Sequence, residues 1–251
     1  LGAAEGLSTT SGIIIDFVAK GSYLRCEALR WLVGVIRVIT LEDPVALGRH
    51  GEIIERTVSQ VKTVSRCIED QPRGIYDEES ERVAIPKILR LGHELVERYR
   101  VHGIVVSCAG DPGVDELRSE LGIPVVGAGR AAAALALSVG ERVGVLGITD
   151  EPPKPFERVL RDRLVAYEKP RCIGTTLDIE RCVDEVVESA RRLTSSGADV
   201  IALACTGFST AGLAPVIEER TGVKVVDPVV AEAVVMYWEL VRHYSQRVVL
   251  R

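Results

Sequence analysis

Two cysteines in this sequence occupy the same local setting. Val105-Val106-Ser107-Cys108-Ala109-Gly110-Asp111-Pro112-Gly113 is an apolar run that ends in a thiol and breaks into a Gly/Pro turn, and Ile201-Ala202-Leu203-Ala204-Cys205-Thr206-Gly207 repeats that grammar later in the chain. Each run reads as a buried strand delivering a thiol to its carboxyl end, where open α/β sheets place their ligands. A thiol whose ordinary pKa is near 8.5 is a competent proton donor, and its thiolate is a competent base. The Gly-containing loop and helix that follow each cysteine offer backbone N–H groups and a helix dipole to hold a thiolate or a developing enolate oxygen. A thiolate on one face of a carbon acid and a thiol on the other would remove and return a proton with inversion.

A single buried cysteine at a strand end is more often a small packing residue; the matched position and loops of Cys108 and Cys205 turn that reading toward chemistry. Cys67 and Cys172 occupy matched places without a Gly-rich loop and read as packing residues. Cys26 and Cys182 sit in an N-terminal extension and in a helix. The six cysteines form no C-x-x-C pair, which gives a disulfide framework or zinc site little support. Two-base chemistry needs neither metal nor organic cofactor, and none is expected: the sequence lacks the phosphate-loop and dinucleotide fingerprints. The four histidines are scattered; His50, His93 and His102 read as surface residues of helices.

The elements that position the two thiols follow from periodicity. Leu32 to Thr40 is a β-branched run that reads as a strand, and Leu41-Glu42-Asp43-Pro44 supplies a helix start into a helix over 45–60. A strand near Thr63–Ser65 reaches Arg66-Cys67-Ile68, and a helix capped by Ser80 leads to the Cys108 strand. A helix (114–121), a short strand at Val125-Val126 and an alanine-rich helix (129–138) follow. The pattern then restarts at Val143: a strand, a helix (155–164), a weak strand reaching Arg171-Cys172-Ile173, a helix (178–194), the Cys205 strand, a helix (213–220), a strand at Val225-Val226 and a final helix from Pro228. Such repetition points to an α/β fold of two pseudo-symmetric lobes, each a mostly parallel sheet flanked by helices, with the active site in the cleft between them. The first lobe is expected over 32–128 plus 226–251, the second over 129–225, and residues 1–31 as an extension. Thr40 and Thr149 end the two repeated first strands and are candidates to donate hydroxyls into the cleft. Tyr76, a lone aromatic in a polar loop, is a candidate for the pocket wall. Arg37 reads as a side chain snorkelling from the sheet edge.

At 251 residues, 47% hydrophobic and with a net charge of −5, the chain can build its own core and offers no basic footprint for nucleic acid. No apolar run reaches membrane-span length, and the first residues lack a signal-peptide pattern. The expected setting is the cytoplasm and the expected partner a small-molecule substrate. The absence of asparagine, with abundant Arg and Glu, is a bias of proteins from hot environments.

The segment Cys108-Ala109-Gly110-Asp111-Pro112-Gly113, continuing to Gly122-Ile123-Pro124-Val125-Val126-Gly127, resembles the Asp/Glu/hydantoin racemase superfamily, and most its hydantoin racemase branch. Gly197 through Gly207, then Gly222 through Asp227, is similar to that branch's second cysteine block, and Gly74-Ile75-Tyr76-Asp77 to its tyrosine loop. The resemblance implies a cofactor-independent isomerase, a homo-oligomer, and Cys108 and Cys205 as the catalytic pair. It further implies that Ala109, Gly110, Asp111 and Gly113 from the first loop, and Thr206 and Gly207 from the second, contact substrate. Where hydantoin racemases carry an Asn-Pro-Asn-Thr-Ser-like run, this chain reads Arg37 to Pro44. The Cys-Asn-Thr pattern of aspartate and glutamate racemases is absent. Alternatives on the same scaffold are an aspartate/glutamate racemase or a maleate isomerase or decarboxylase; outside it, a non-catalytic small-molecule binding protein.

Overall fold

The computed structural model describes residues 31–245. The expected extension over residues 1–31 therefore lies, except for Trp31, outside the described residues, as does Cys26.

The first sheet contains β1 (Trp31–Arg37), β2 (Val61–Cys67), β3 (Gly103–Ser107) and β4 (Val125–Gly127), all parallel, in the order β2-β1-β3-β4. The second contains β5 (Val143–Gly147), β6 (Leu164–Glu168), β7 (Val200–Ala204) and β8 (Lys224–Val226), in the corresponding order β6-β5-β7-β8. The fold is thus α/β with two lobes. The central strands are continuous runs of Val, Ile, Leu and Ala because helices cover both faces of a parallel sheet. In each sheet the chain leaves one central strand toward one edge and its neighbour toward the other, so β1/β3 and β5/β7 are topological switch points, where a crevice opens at the strands' carboxyl ends.

The helices are α1 (Pro44–Thr57), α2 (Glu78–Tyr99), α3 (Val114–Glu120), α4 (Ala128–Val139), α5 (Lys154–Leu160), α6 (Val183–Ser195), α7 (Gly207–Thr210), α8 (Leu213–Thr221) and α9 (Pro228–Leu240). One apolar cluster lies between the sheets, joining Val33, Val35 and Val105 to Val145, Val200 and Ala202 through α4 and α9. The alanines of α4 let its backbone lie close to α9, α5 and β7. Two outer cores cover the far faces, one under α2 and α3 and one under α6 and α8. Cutting a fully buried side chain such as Leu146 to alanine would cost about 2–5 kcal/mol. No helix among the described residues is long and apolar enough to cross a membrane.

Three local expectations are corrected. The cap of α2 is Asp77, whose carboxylate accepts from Ser80 N at 2.8 Å, while Ser80 closes the reciprocal capping box from the third helical position. β6 ends at Glu168 before Lys169-Pro170, so Cys172 lies beyond the strand whereas Cys67 lies within β2, paired in register with Arg37; the two cysteines are not structural equivalents. The helix expected from residue 178 begins instead as a 3-10 helix, Thr176–Arg181, and turns into α6 only at Val183. That turn brings Cys172 and Cys182 together as a disulfide with a Cα–Cα separation of 6.1 Å, a pairing that the wide cysteine spacing did not suggest.

Candidate active site

A cleft of about 620 Å³ opens at the carboxyl ends of both sheets. Its wall is built from the carboxyl ends of the four central strands and the residues next to them: Arg37 to Ile39 at β1, Ser107 to Gly110 at β3, Ile148 to Glu151 at β5, and Ala204 to Gly207 at β7. The volume lies within the range of small-molecule sites. Acidic side chains dominate the rim, among them Asp77, Glu78, Asp150 and Glu151, and of the two basic residues of the wall Lys154 pairs with Glu78.

Cys108 and Cys205 each stand one residue past a central strand, half-buried and buried respectively. The N–H of Gly207 donates to Cys205 Sγ at 3.4 Å, and the Cys205 thiol donates to Thr176 Oγ1 at 3.7 Å. A side chain at Gly207 would collide with Thr176 Oγ1 and Ile179, so a larger residue would push the Thr176 hydroxyl away from where it meets the Cys205 thiol. The thiolate-stabilising loops anticipated from sequence are present, yet burial outweighs them. Desolvation pushes the Cys108 thiol far above its ordinary value; the Gly110 N–H opposes it, while the charges of Cys205, Glu81 and Asp111 add to it. Desolvation likewise raises Cys205, against the amides of Gly207 and Phe208, the Thr176 hydroxyl and the charge of Arg37. Each thiol resists ionisation, and a charge on Cys205 makes that of Cys108 harder.

Of the remaining residues singled out from the sequence, Tyr76, Ala109, Gly110, Thr149, Thr206 and Gly207 line the cleft. Tyr76 is held under the Arg73 guanidinium, 4.4 Å above its ring, and Thr149 Oγ1 donates to Glu151 O at 2.7 Å. Thr40, Asp111 and Gly113 lie off the wall. Thr40 Oγ1 donates to Ile68 O and accepts from Gln71 N, so its hydroxyl is spent on the turn after β2. Asp111 is buried and accepts from Gly129 N at 2.6 Å and Arg130 N at 2.9 Å, satisfying the open amides at the start of α4. Burial raises its carboxyl to about 6. Gly113 caps α3 at φ 69°, a left-handed conformation that favours glycine.

Four further residues build the wall or its backing, none of them marked by a local pattern. Arg37 does not snorkel: it is 7% exposed, lines the cleft, and its Nη1 donates to Ala46 O at 2.8 Å and Leu47 O at 3.3 Å. Burial lowers its pKa to about 10, which leaves it charged at neutral pH and able to favour a Cys205 thiolate. Thr176 comes from the loop that the Cys172–Cys182 disulfide closes, in a segment without strand or helix periodicity. Glu81 faces the same wall, where a Cβ at Gly110 would lie 3.9 Å from both Glu81 Oε2 and Cys108 Sγ. His50, expected at a surface, is 1% exposed.

Comparison with known proteins bears on the family and the fold. The model of the family described as Asp/Glu/Hydantoin racemase matches residues 52–236. A hydantoin racemase of Pseudomonas sp. (strain NS671) is 28% identical over 213 residues, 78% of this chain and 82% of that protein. One from Paenarthrobacter aurescens is 28% identical over 135 residues, a match that spans 51% of this chain and only 56% of that protein. Among solved structures, an allantoin racemase from Klebsiella pneumoniae superposes with a TM-score of 0.72 at 21% identity, covering 83% of this chain and 86% of that one, and so shares the fold.

Proposed function

The chain belongs to the Asp/Glu/hydantoin racemase family, and from that premise we propose that it is a cofactor-independent racemase of 5-substituted hydantoins or closely related amino-acid derivatives. The observation that carries this reading is that Cys108 and Cys205, from corresponding strand ends of the two sheets, line one cleft.

In the proposed reaction one cysteine, as thiolate, takes the proton from the carbon next to the carbonyl and becomes a thiol. The electron pair left on carbon delocalises onto the carbonyl oxygen as an enolate. The opposite thiol then protonates the other face and becomes the thiolate, so the stereocentre inverts and the charge has changed sides. Arg37 favours the charged state of Cys205, and the Gly110 and Gly207 amides favour a thiolate at either side. Two thiols raised by burial make the proton transfer demanding, which favours an acidic carbon such as that of a cyclic imide. The acidic rim disfavours a dicarboxylate by like-charge repulsion. Ala109, Gly110, Thr206, Gly207, Thr149 and Tyr76 would contact the ring and its substituent; Asp111 and Gly113 would act only through the loop they shape.

The test is loss of optical rotation with single enantiomers of 5-substituted hydantoins, run beside L-aspartate and L-glutamate. Racemisation of the free diacids but of no hydantoin would replace this substrate class with the other.

A further inference from the structure

Behind the two thiols runs a buried polar chain that the proton transfer itself does not use. Glu232, 0% exposed among the buried apolar residues of α9, receives the Ser107 hydroxyl on Oε1 at 2.6 Å; its Oε2 is buried with no partner among the described residues. The same Ser107 Oγ lies 2.8 Å from His50 Nδ1, and His50 Nε2 lies 3.0 Å from Thr210 Oγ1. The imidazole therefore spans two hydroxyls: Ser107 immediately precedes Cys108, and Thr210 sits on α7, the single turn that begins two residues after Cys205. A second link runs in parallel, from the Thr206 hydroxyl to Ser107 O at 3.2 Å.

Burying this many polar groups is expensive unless they hold a geometry, because an apolar filling of the same shape would be about as stable. What they hold is the join between the two lobes. β3 and β7 belong to different sheets, and no strand pairing fixes one against the other. Apolar packing through α4 and α9 is non-directional, whereas a ring hydrogen-bonded at both nitrogens sets the spacing of the groups it joins. We propose that His50, backed by Ser107 and Glu232, is a positioning residue that fixes the separation of Cys108 and Cys205 across the cleft. The catalytic part of this inference rests on the two-cysteine reading given above; the geometric part does not.

The experiment uses the full chain with His50→Ala and, as a shape-preserving second variant, Thr210→Val, which removes only the partner of Nε2. A short bifunctional alkylating agent, dibromobimane, reports the approach of the two thiols without any substrate, the linked peptides being identified by mass. The expected result is a Cys108–Cys205 cross-link reduced about tenfold in both variants, relative to single alkylation of each thiol. With a hydantoin in deuterated water, both variants should also take up deuterium with retained configuration faster than they invert, since a displaced pair exchanges from one face without delivering from the other. A fall in kcat of about a hundredfold, with KM within about threefold, is expected for His50→Ala; His50→Gln, which restores one hydrogen bond, should recover part of it. A residue that merely stabilises the fold would lower exchange and inversion together. Cross-linking and the exchange-to-inversion ratio unchanged from the parent in Thr210→Val and in any soluble His50 variant would overturn the inference. A parent that cross-links in a His50-dependent way but racemises nothing would instead sink the proposed function.

Discussion

The Thr206 hydroxyl, one residue past Cys205, donates to the carbonyl of Ser107, one residue before Cys108, at 3.2 Å. A direct hydrogen bond thus ties the two thiol-bearing turns to each other across the lobes. Thr206→Val keeps the shape and leaves that buried carbonyl without the hydroxyl. We expect a loss of about 1–2 kcal/mol in denaturant unfolding and a kcat about tenfold lower, with Thr206→Ser close to the parent on both counts. Unchanged unfolding would mean that water replaces the bond at no cost.

Burial raises both thiols above their ordinary range. For a base, a raised pKa means that the thiolate is scarce at neutral pH, so kcat/KM should climb through the alkaline range, with its rising limb above about 8.5. Arg37→Met removes a charge that favours the Cys205 thiolate and should move that limb further up. A pH–rate profile flat from 6 to 9 would contradict the assignment of a thiol as the base.

Asp111 accepts the first amides of α4 instead of facing the cleft. Asp111→Ala should therefore cost about 1–3 kcal/mol of stability while leaving KM within about twofold. Chemical denaturation beside steady-state kinetics checks both; a large rise in KM with normal stability would return Asp111 to the substrate.

Glu232 is held well above its ordinary value of 4.5 by burial. The folded state thus binds a proton that the unfolded state has released, so this group's contribution is complete below about 4.5 and is lost as the pH rises toward its folded pKa. The opposite sign holds for His50, whose burial and the nearby Arg37 charge depress its pKa; its contribution is lost as the pH falls below 6.5. Glu232→Gln should accordingly become more stable relative to the parent as the pH rises from 4.5, by at most about 1.4 kcal/mol per pH unit. Parallel stability curves for the two proteins would show that Glu232 titrates normally.

The scaffold was legible in the sequence because it repeats: two β-branched first strands and two apolar runs ending in cysteine are local signals, and the structure lays them in the same strand order in both sheets. Cys108 and Cys205 could be paired for the same reason. The buried chain behind them was not, because what makes its residues matter is long-range. His50 and Thr210 are 160 positions apart, and Ser107 and Glu232 are 125. A lone acid in Val229-Val230-Ala231-Glu232-Ala233-Val234 was the one local hint of the buried chain. Thr40 failed the other way: a hydroxyl at a strand end is as well placed to close a turn as to meet a ligand, and here the Gln71 amide takes it.

The central claim is that one thiol removes the proton and the other returns it. The most direct measurement follows a single-enantiomer hydantoin in deuterated water with the parent, Cys108→Ala and Cys205→Ala, reading inversion by optical rotation and deuterium by mass. The parent should invert with deuterium in the product. Each variant should lose inversion by at least about a thousandfold, and the two should retain deuterium exchange on opposite enantiomers. Inversion at the parent's rate in either variant would contradict it.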